Sequence, residues 1–182
     1  AISADEWGLG PPWEVAGNFS VAHGIYAAAF LGVVTRIAPE VKLLATNYFE
    51  PVNEGAVYVG PYGAALTTVG EVMALYADHA GGARLNATQH EDFDVLATLH
   101  DGGKTLITVA SLNAEDWRSR TLTLTLDPPP PTGTAAAVVT LEATGFDERS
   151  TFARVVSSAV VGEKGALALT VPPFSVVSAS MK

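Results

Sequence analysis

The spacing of the apolar residues changes once along this chain of 182 residues, near Gly81 and Gly82. Beyond that point, residues 121–126 alternate threonine and leucine without interruption, which is typical of a half-buried antiparallel strand. Before it, the apolar segments have lengths that suit strands and helices in turn. We therefore expect an α/β segment over residues 1–81, followed by an all-β segment over residues 82–182.

The first segment begins with a short apolar stretch, residues 2–5, which predicts a strand. After a loop rich in glycine and proline, Asn18 or Ser20 can cap a helix that is apolar on most of its surface. We expect this helix to run to about Ile37 and to stop at Pro39, because a proline inside a helix removes a hydrogen bond.

A second strand and helix follow. Residues 41–49 are dense in leucine and alanine, which predicts a buried strand of the parallel type. Residues 50–63 contain prolines and glycines and are expected to form a loop. Thr67 or Thr68 can cap the second helix, which we expect to end at Gly81.

The second segment contains several short strand candidates separated by turn residues, which predicts an antiparallel β-sandwich of the jelly-roll kind. Two β/α units cannot close a barrel, because a closed β/α barrel needs eight units and roughly 250 residues. The expected fold is thus a partial β/α barrel plus a sandwich. The strand candidates are residues 104–112, 121–126, 135–143, 166–171 and 174–181.

Composition excludes several classes of function. The net charge of −9 disfavours nucleic-acid binding, and the absence of cysteine excludes disulfides and thiolate chemistry. No apolar run approaches the length that crosses a bilayer, so we expect no membrane association. No histidine pair has the spacing of metal ligands, and no phosphate-binding glycine loop is present, so we expect neither metal nor cofactor.

The chain begins Ala-Ile-Ser-Ala, without an initiator methionine or a targeting segment. We expect it to be processed, truncated or split from a larger protein. Both the bacterial cytoplasm and the exterior are compatible with its composition.

Asp5, Glu6 and Trp7 form the first candidate site, because they lie at the end of a short strand and precede a loop. In β/α barrels the carboxyl ends of the strands carry the catalytic residues. Retaining glycosidases need two carboxyl groups about 5–5.5 Å apart, one of which attacks the sugar. The alternative is an exposed acidic pair at a frayed terminus.

Glu50 and Asn53 follow the next strand at its equivalent end and could bind sugar hydroxyls; the alternative is a solvated loop. Trp13, Tyr58 and Tyr62 lie in the same two loops and could stack on a sugar ring or pack the loops. The acidic residues 90–94 lack the spacing of a calcium loop and are interpreted as a solvated edge of the sandwich.

In their order along the chain, several segments resemble the C-terminal portion of family 51 glycoside hydrolases, the retaining α-L-arabinofuranosidases. Residues 2–7 resemble the seventh barrel strand of that family, which ends in an Asp-Glu-Trp nucleophile motif. Residues 27–41 resemble its next helix, and residues 42–53 its eighth strand and the following loop. Residues 106–113 and 169–177 resemble two strands of its jelly-roll domain.

The resemblance implies that Glu6 is the nucleophile and that Asp5, Trp7, Trp13, Glu50 and Asn53 lie near the bound sugar. Glu50 stands where the family usually has a glutamine. Gly8 and the residues after it replace an Asn-Val-Trp-Tyr sequence, so Trp13 would supply the stacking ring.

The general acid/base of the family, a glutamate after Gly-Asn, has no counterpart here; the nearest match is Gly17-Asn18-Phe19. Loss of acid catalysis costs about 10²–10⁴-fold in rate, so the chain alone is expected to be inactive or weakly active. The implied partners are glycosides or plant polysaccharide side chains, together with a complementary N-terminal barrel chain or further copies of this chain. Alternatives are a carbohydrate-binding or assembly module and a structural β-protein.

Overall fold

A computed structural model describes residues 2–8, 20–48, 52, 55–113, 115–145 and 151–182, and of Asp5 the backbone alone. In these residues the chain is mostly β, and both α-helices lie in its first half. The helices are α1 (Val21–Val41) and α2 (Thr68–Ala77). The strands are β1 (Ile2–Trp7), β2 (Leu43–Tyr48), β3 (Val57–Gly60), β4 (Gly63–Leu66), β5 (Ala83–Leu85), β6 (Phe93–Leu99), β7 (Thr105–Ser111), β8 (Arg120–Thr125), β9 (Ala135–Glu142), β10 (Ala153–Val160), β11 (Ala166–Val171) and β12 (Val176–Met181).

The first strands form a β-α-β unit. β1 and β2 pair in parallel, with Ile2 opposite Leu43 and Trp7 opposite Tyr48, and α1 connects them. This sheet has two strands in the described part of the chain, so no closed barrel is present there.

The expectation that the second strand is buried is wrong for the chain by itself. Leu44 on β2 is 78% exposed, and Ile2 on β1 is 56% exposed. The physical reason is that α1 packs beside the strand pair while no described residue covers the opposite face. Apolar side chains at the centre of a parallel sheet are normally covered on both faces.

Helix α1 continues through Pro39 and ends at Val41, so the expected stop at Pro39 is wrong. Pro39 lies in the last turn, where its missing N–H costs one hydrogen bond and leaves the earlier turns intact. Lys42 ends the helix in the left-handed conformation (φ 54°), and its N–H donates to the carbonyl of Ala38.

Helix α1 has 21 residues and is long and apolar enough to cross a membrane by length and composition. The expected helix, which ended near Ile37, was shorter. A core helix meets the same criterion. In this structure α1 contacts α2, β2, β6 and β7, and its Arg36 pairs with a carboxylate of β6.

A six-stranded antiparallel sheet, in the order β10-β9-β12-β7-β6-β5, forms the middle layer of the fold. One face carries the helices, and Leu96, Ala110 and Val176 join their apolar cluster. The other face packs on the two-stranded sheet β11-β8, where Val95 and Val177 meet the leucines of β11.

Strand β6 was not predicted: it has no alternation, and its first residues were interpreted as part of a solvated acidic edge. Asp94 lies on this strand and is 4% exposed, so the interpretation of residues 90–94 as a solvated edge is wrong at this position. Asp92 accepts hydrogen bonds from Arg120 (2.7 Å) and Asn113 (2.8 Å).

Arg36 and Asp94 connect α1 to the middle sheet. Nη1 of Arg36 donates to Oδ1 of Asp94 at 2.9 Å, and Nη2 donates to Oδ2, so the pair is bidentate. Gly32 permits this approach, because a Cβ at that position would overlap the carboxylate. The helix is therefore held to β6 by a charge pair that is largely removed from water.

His79 connects the turn after α2 to the same sheet face. Its Nδ1 and Nε2 lie 2.8 Å from the hydroxyls of Thr98 and Thr108, so the neutral ring donates to one and accepts from the other. The Thr108 hydroxyl in turn donates to Ser178 at 3.2 Å. Burial is the main reason that the pKa of His79 is lowered to about 4. The nearby His100 and Lys104 also lower this pKa, whereas Asp78 raises it.

This environment predicts acid lability. Because the folded-state pKa lies below the ordinary value of 6.5, neutral His79 stabilises the fold fully above pH 6.5. That stability declines as the pH falls from 6.5 to about 4, by at most about 1.4 kcal/mol per pH unit. Urea unfolding at several pH values should show a shallower decline for His79→Gln; identical pH dependence in both proteins would contradict the argument.

The second helix begins as expected, because Thr67 is the N-cap and accepts a hydrogen bond from the N–H of Gly70 at 3.2 Å. The preceding segment, expected to be a loop, contains the hairpin β3-β4. Gly60 pairs with Gly63 at its turn, and Gly63 has a φ of 146°, which favours glycine.

Candidate active site

Glu6 lies near the carboxyl end of β1 with its side chain exposed. The pairing with β2 is irregular here: Ala4 faces Thr46 and Trp7 faces Tyr48, so two residues of β1 oppose one of β2. Such bulges change the direction of a side chain and are common beside active sites. The bulge places the Glu6 carboxylate in the open at the end of the strand pair.

Trp7 fixes the end of the strand that carries Glu6. Its ring stacks on Phe30 of α1, with ring centroids 4.2 Å apart and planes 16° from parallel. The Tyr48 ring meets it edge-on at 4.8 Å. Burial, followed by the charge of Tyr26, raises the pKa of Tyr48, so this phenol is neutral at physiological pH. Trp7 therefore positions the backbone of Glu6 through packing.

The indole Nε1 of Trp7 is buried and has no hydrogen-bond partner among the described residues. A buried donor without a partner costs about 1–3 kcal/mol. A group from outside the described chain that accepts this hydrogen bond would therefore be stabilised at this position.

The other predicted site residues are not brought together by the described structure. The backbone of Asp5 lies in β1 beside Glu6. Trp13, Glu50 and Asn53 lie outside the described residues. The two tyrosines named with them, Tyr58 and Tyr62, are on the hairpin β3-β4, where both are more than half exposed.

Asn47 was missed by the sequence analysis. It lies on β2 between the residues that pair with Ala4 and Trp7, opposite the bulge at Glu6, and its side chain is exposed. An amide can both donate and accept hydrogen bonds, which suits a sugar hydroxyl. The sequence feature that could have identified Asn47 is its place near the carboxyl end of the predicted strand, one residue before Tyr48.

The described residues contain no group of three or more histidine or carboxylate side chains that could hold a metal ion. The described part of the site presents the exposed Glu6 carboxylate on a strand end that aromatic packing fixes.

No protein-family model matches the sequence, and a search of curated proteins gives no significant match. Solved structures do match. The GH51 arabinofuranosidase from Xanthomonas axonopodis pv. citri superposes with a TM-score of 0.79 at 18% identity, covering 100% of this chain and 41% of that one. The thermostable GH51 α-L-arabinofuranosidase from Thermotoga petrophila gives a TM-score of 0.73 at 18% identity, and the match covers 100% of this chain and 43% of that one.

A family 30 xylanase from Clostridium acetobutylicum also matches, with a TM-score of 0.69 at 13% identity over 100% of this chain and 42% of that one. The chain thus spans less than half the length of these enzymes. At these identities the likeness establishes the fold, which is that of a portion of GH51 arabinofuranosidases, in agreement with the resemblance seen in the sequence.

Proposed function

We propose that this chain is the C-terminal part of a retaining glycoside hydrolase that cleaves terminal α-L-arabinofuranosyl residues, with Glu6 as the nucleophile. In this proposal residues 1–81 are the last two β/α units of a barrel, and residues 82–182 are a jelly-roll-like sandwich that braces them. The observation that carries the proposal is the exposed carboxylate of Glu6 at a bulged strand end.

The proposed reaction begins when a carboxylate oxygen of Glu6 attacks the anomeric carbon of the sugar. The bond to the leaving oxygen breaks, and a glycosyl ester of Glu6 forms. Water then cleaves the ester and restores the carboxylate. The proton for the leaving group and the base for the water come from a carboxyl group outside this chain, because its sequence lacks the Gly-Asn-Glu motif.

The proposal also accounts for the uncovered apolar side chains. Ile2, Leu44 and Val33 are exposed on β1, β2 and α1, and exposed apolar patches mark interaction surfaces. The outer edges of β1 and β2 have no neighbouring strand among the described residues, and open edges invite pairing. We propose that a complementary N-terminal barrel polypeptide supplies the neighbouring strands and the acid/base.

A comparison of leaving groups tests the reaction. Without an acid, the chain should cleave 2,4-dinitrophenyl α-L-arabinofuranoside, since dinitrophenolate leaves without a proton. It should cleave the methyl glycoside at least about 10²-fold more slowly than a complete enzyme would, because acid catalysis contributes roughly 10²–10⁴-fold. Release of dinitrophenolate is followed by absorbance, and release of arabinose from the methyl glycoside by chromatography.

The result that would contradict the proposal is efficient cleavage of the methyl glycoside by this chain alone, which would require an acid within it. Cleavage of a different dinitrophenyl glycoside, but not of the arabinofuranoside, would contradict the assignment to arabinofuranosides, and a panel of dinitrophenyl glycosides makes this comparison.

The exposed apolar side chains also favour a second candidate, a non-catalytic assembly or carbohydrate-binding module that pairs with its own copies. The mass in solution separates the two. A homodimer of the 18.9 kDa chain would favour the module, and a complex with a larger polypeptide would favour the glycosidase.

A further inference from the structure

A groove lies between the hairpin β3-β4, the first turn of α2 and the start of β10. We call it the hairpin groove, and its volume is about 290 Å³. That is close to the lower end of small-molecule sites, roughly 300 Å³, and suits a ligand of one or two small rings. Its walls include Tyr58, Leu66, Thr68, Glu71, Thr151 and Phe152.

Tyr58 provides an aromatic surface on the hairpin. A Cβ at Gly60 would lie 3.1 Å from Cε1 of this ring, 3.5 Å from Oη and 3.6 Å from Cζ, so the outer edge of the ring passes over Gly60. The Tyr58 side chain is nevertheless 51% exposed. The hairpin thus supports one edge of the ring, and about half of the side chain is exposed.

Phe152 is an apolar residue of the groove wall and is 9% exposed. Its ring packs against the backbone of α1 at Gly24, where a Cβ would come within 2.6 Å of Cε2. This contact fixes the Phe152 ring in the wall of the groove.

Polar groups also line the groove. Glu71 is half-buried; burial raises the pKa of its carboxyl group, and Arg154 opposes that effect. The Thr68 hydroxyl donates to the carbonyl of Ser20 at 2.7 Å, which fixes this side chain in the groove wall. Thr151 adds a second hydroxyl at the exposed end.

These features select the class of ligand. A carboxylate in the wall and a net charge of −9 disfavour phosphates and other anions. Two aromatic walls with a carboxylate and hydroxyls suit a neutral ring that has an apolar face and several hydroxyls, which describes a sugar. We propose that the hairpin groove is a carbohydrate-binding site in which a sugar ring lies against Tyr58 and donates a hydroxyl hydrogen bond to Glu71.

The proposed binding is separate from cleavage, because Glu6, Trp7 and Tyr48 do not line the groove. Affinity electrophoresis in gels containing soluble arabinoxylan, arabinan or xylan measures it without any turnover. Tyr58→Ala should lower the apparent affinity at least about tenfold. Glu71→Gln should lower it by a smaller factor, since an amide oxygen still accepts one hydrogen bond.

Tyr62→Ala is the matched control, since Tyr62 lies at the tip of the same hairpin and does not line the groove. It should bind as the unaltered chain does. Glu40→Gln, at the exposed end of α1, should also bind as the unaltered chain does. Absence of retardation in all three gels, or equal retardation of the Tyr58→Ala and Tyr62→Ala variants, would overturn the inference while leaving the role of Glu6 open to its own test.

Discussion

Replacing Glu6 with glutamine is expected to lower the rate of dinitrophenolate release from 2,4-dinitrophenyl α-L-arabinofuranoside at least about 10³-fold. The amide has nearly the size of the carboxylate but is a far weaker nucleophile, so no glycosyl ester forms. Because the Glu6 side chain is exposed, the substitution should leave the urea midpoint of the fold unchanged. Initial rates measured in the same buffer for both proteins give the ratio directly.

Glu40→Gln is the control for this experiment. Glu40 is also exposed, and it lies in the last turn of α1, beyond Pro39 and away from the end of β1 that bears Glu6. Its loss should leave the rate within about twofold, as expected of a surface substitution away from special features. Equal rates for the Glu6→Gln variant and the unaltered chain would rule out Glu6 as the nucleophile.

Replacing Asp94 with alanine is expected to lower the free energy of unfolding by about 3–5 kcal/mol. The substitution leaves the Arg36 guanidinium without its bidentate partner at the contact between α1 and β6. The side chains of Arg36 and Asp94 are 24% and 5% exposed, so water replaces the lost carboxylate only in part. Urea unfolding followed by circular dichroism measures the difference.

Two further variants separate the charge pair from other effects. The double variant Arg36→Met with Asp94→Leu should recover much of the loss, because it removes both charges and fills the space with apolar groups. Asp116→Ala removes a carboxylate that pairs with Arg120 at the surface and should change the midpoint far less. A double variant as unstable as Asp94→Ala would show that the buried charges are not the cause.

Several parts of the fold that the sequence predicts carry a clear local signal. Residues 121–126 alternate without error, and β8 occupies Arg120–Thr125 with its leucines packed against the apolar cluster that it shares with β11 and the six-stranded sheet. Strand β11 has the predicted bounds, residues 166–171. Thr67 caps α2 because its hydroxyl satisfies a backbone N–H of the first turn.

The missed elements are those whose environment depends on distant residues. β6 is buried on both sides, since α1 covers the face that carries Asp94 while the second sheet covers the face that carries Val95. No local pattern indicates that Arg36, 58 residues earlier, neutralises a buried aspartate. β10 was missed for the opposite reason: it is a largely exposed edge strand without apolar alternation.

In the candidate site, too, the sequence predicts the local features and misses those that depend on tertiary packing. The position of Glu6 at a strand end followed from a short apolar run and the loop after it. The bulge opposite Asn47 and the packing of Trp7 against Phe30 depend on the pairing of β1 with β2 and on the path of α1. The roles of Asp5, Trp13, Glu50 and Asn53 toward a sugar remain predictions.

The central claim, that Glu6 attacks the sugar, is tested most directly by the mass of the protein during turnover. Because the chain lacks the base that activates water, the glycosyl ester should form from the dinitrophenyl glycoside faster than it is hydrolysed. Intact mass spectrometry after acid quenching should show the addition of one pentosyl unit, and peptide mapping should place it on Glu6. An adduct on another residue, or an unmodified protein while dinitrophenolate is released, would contradict the account.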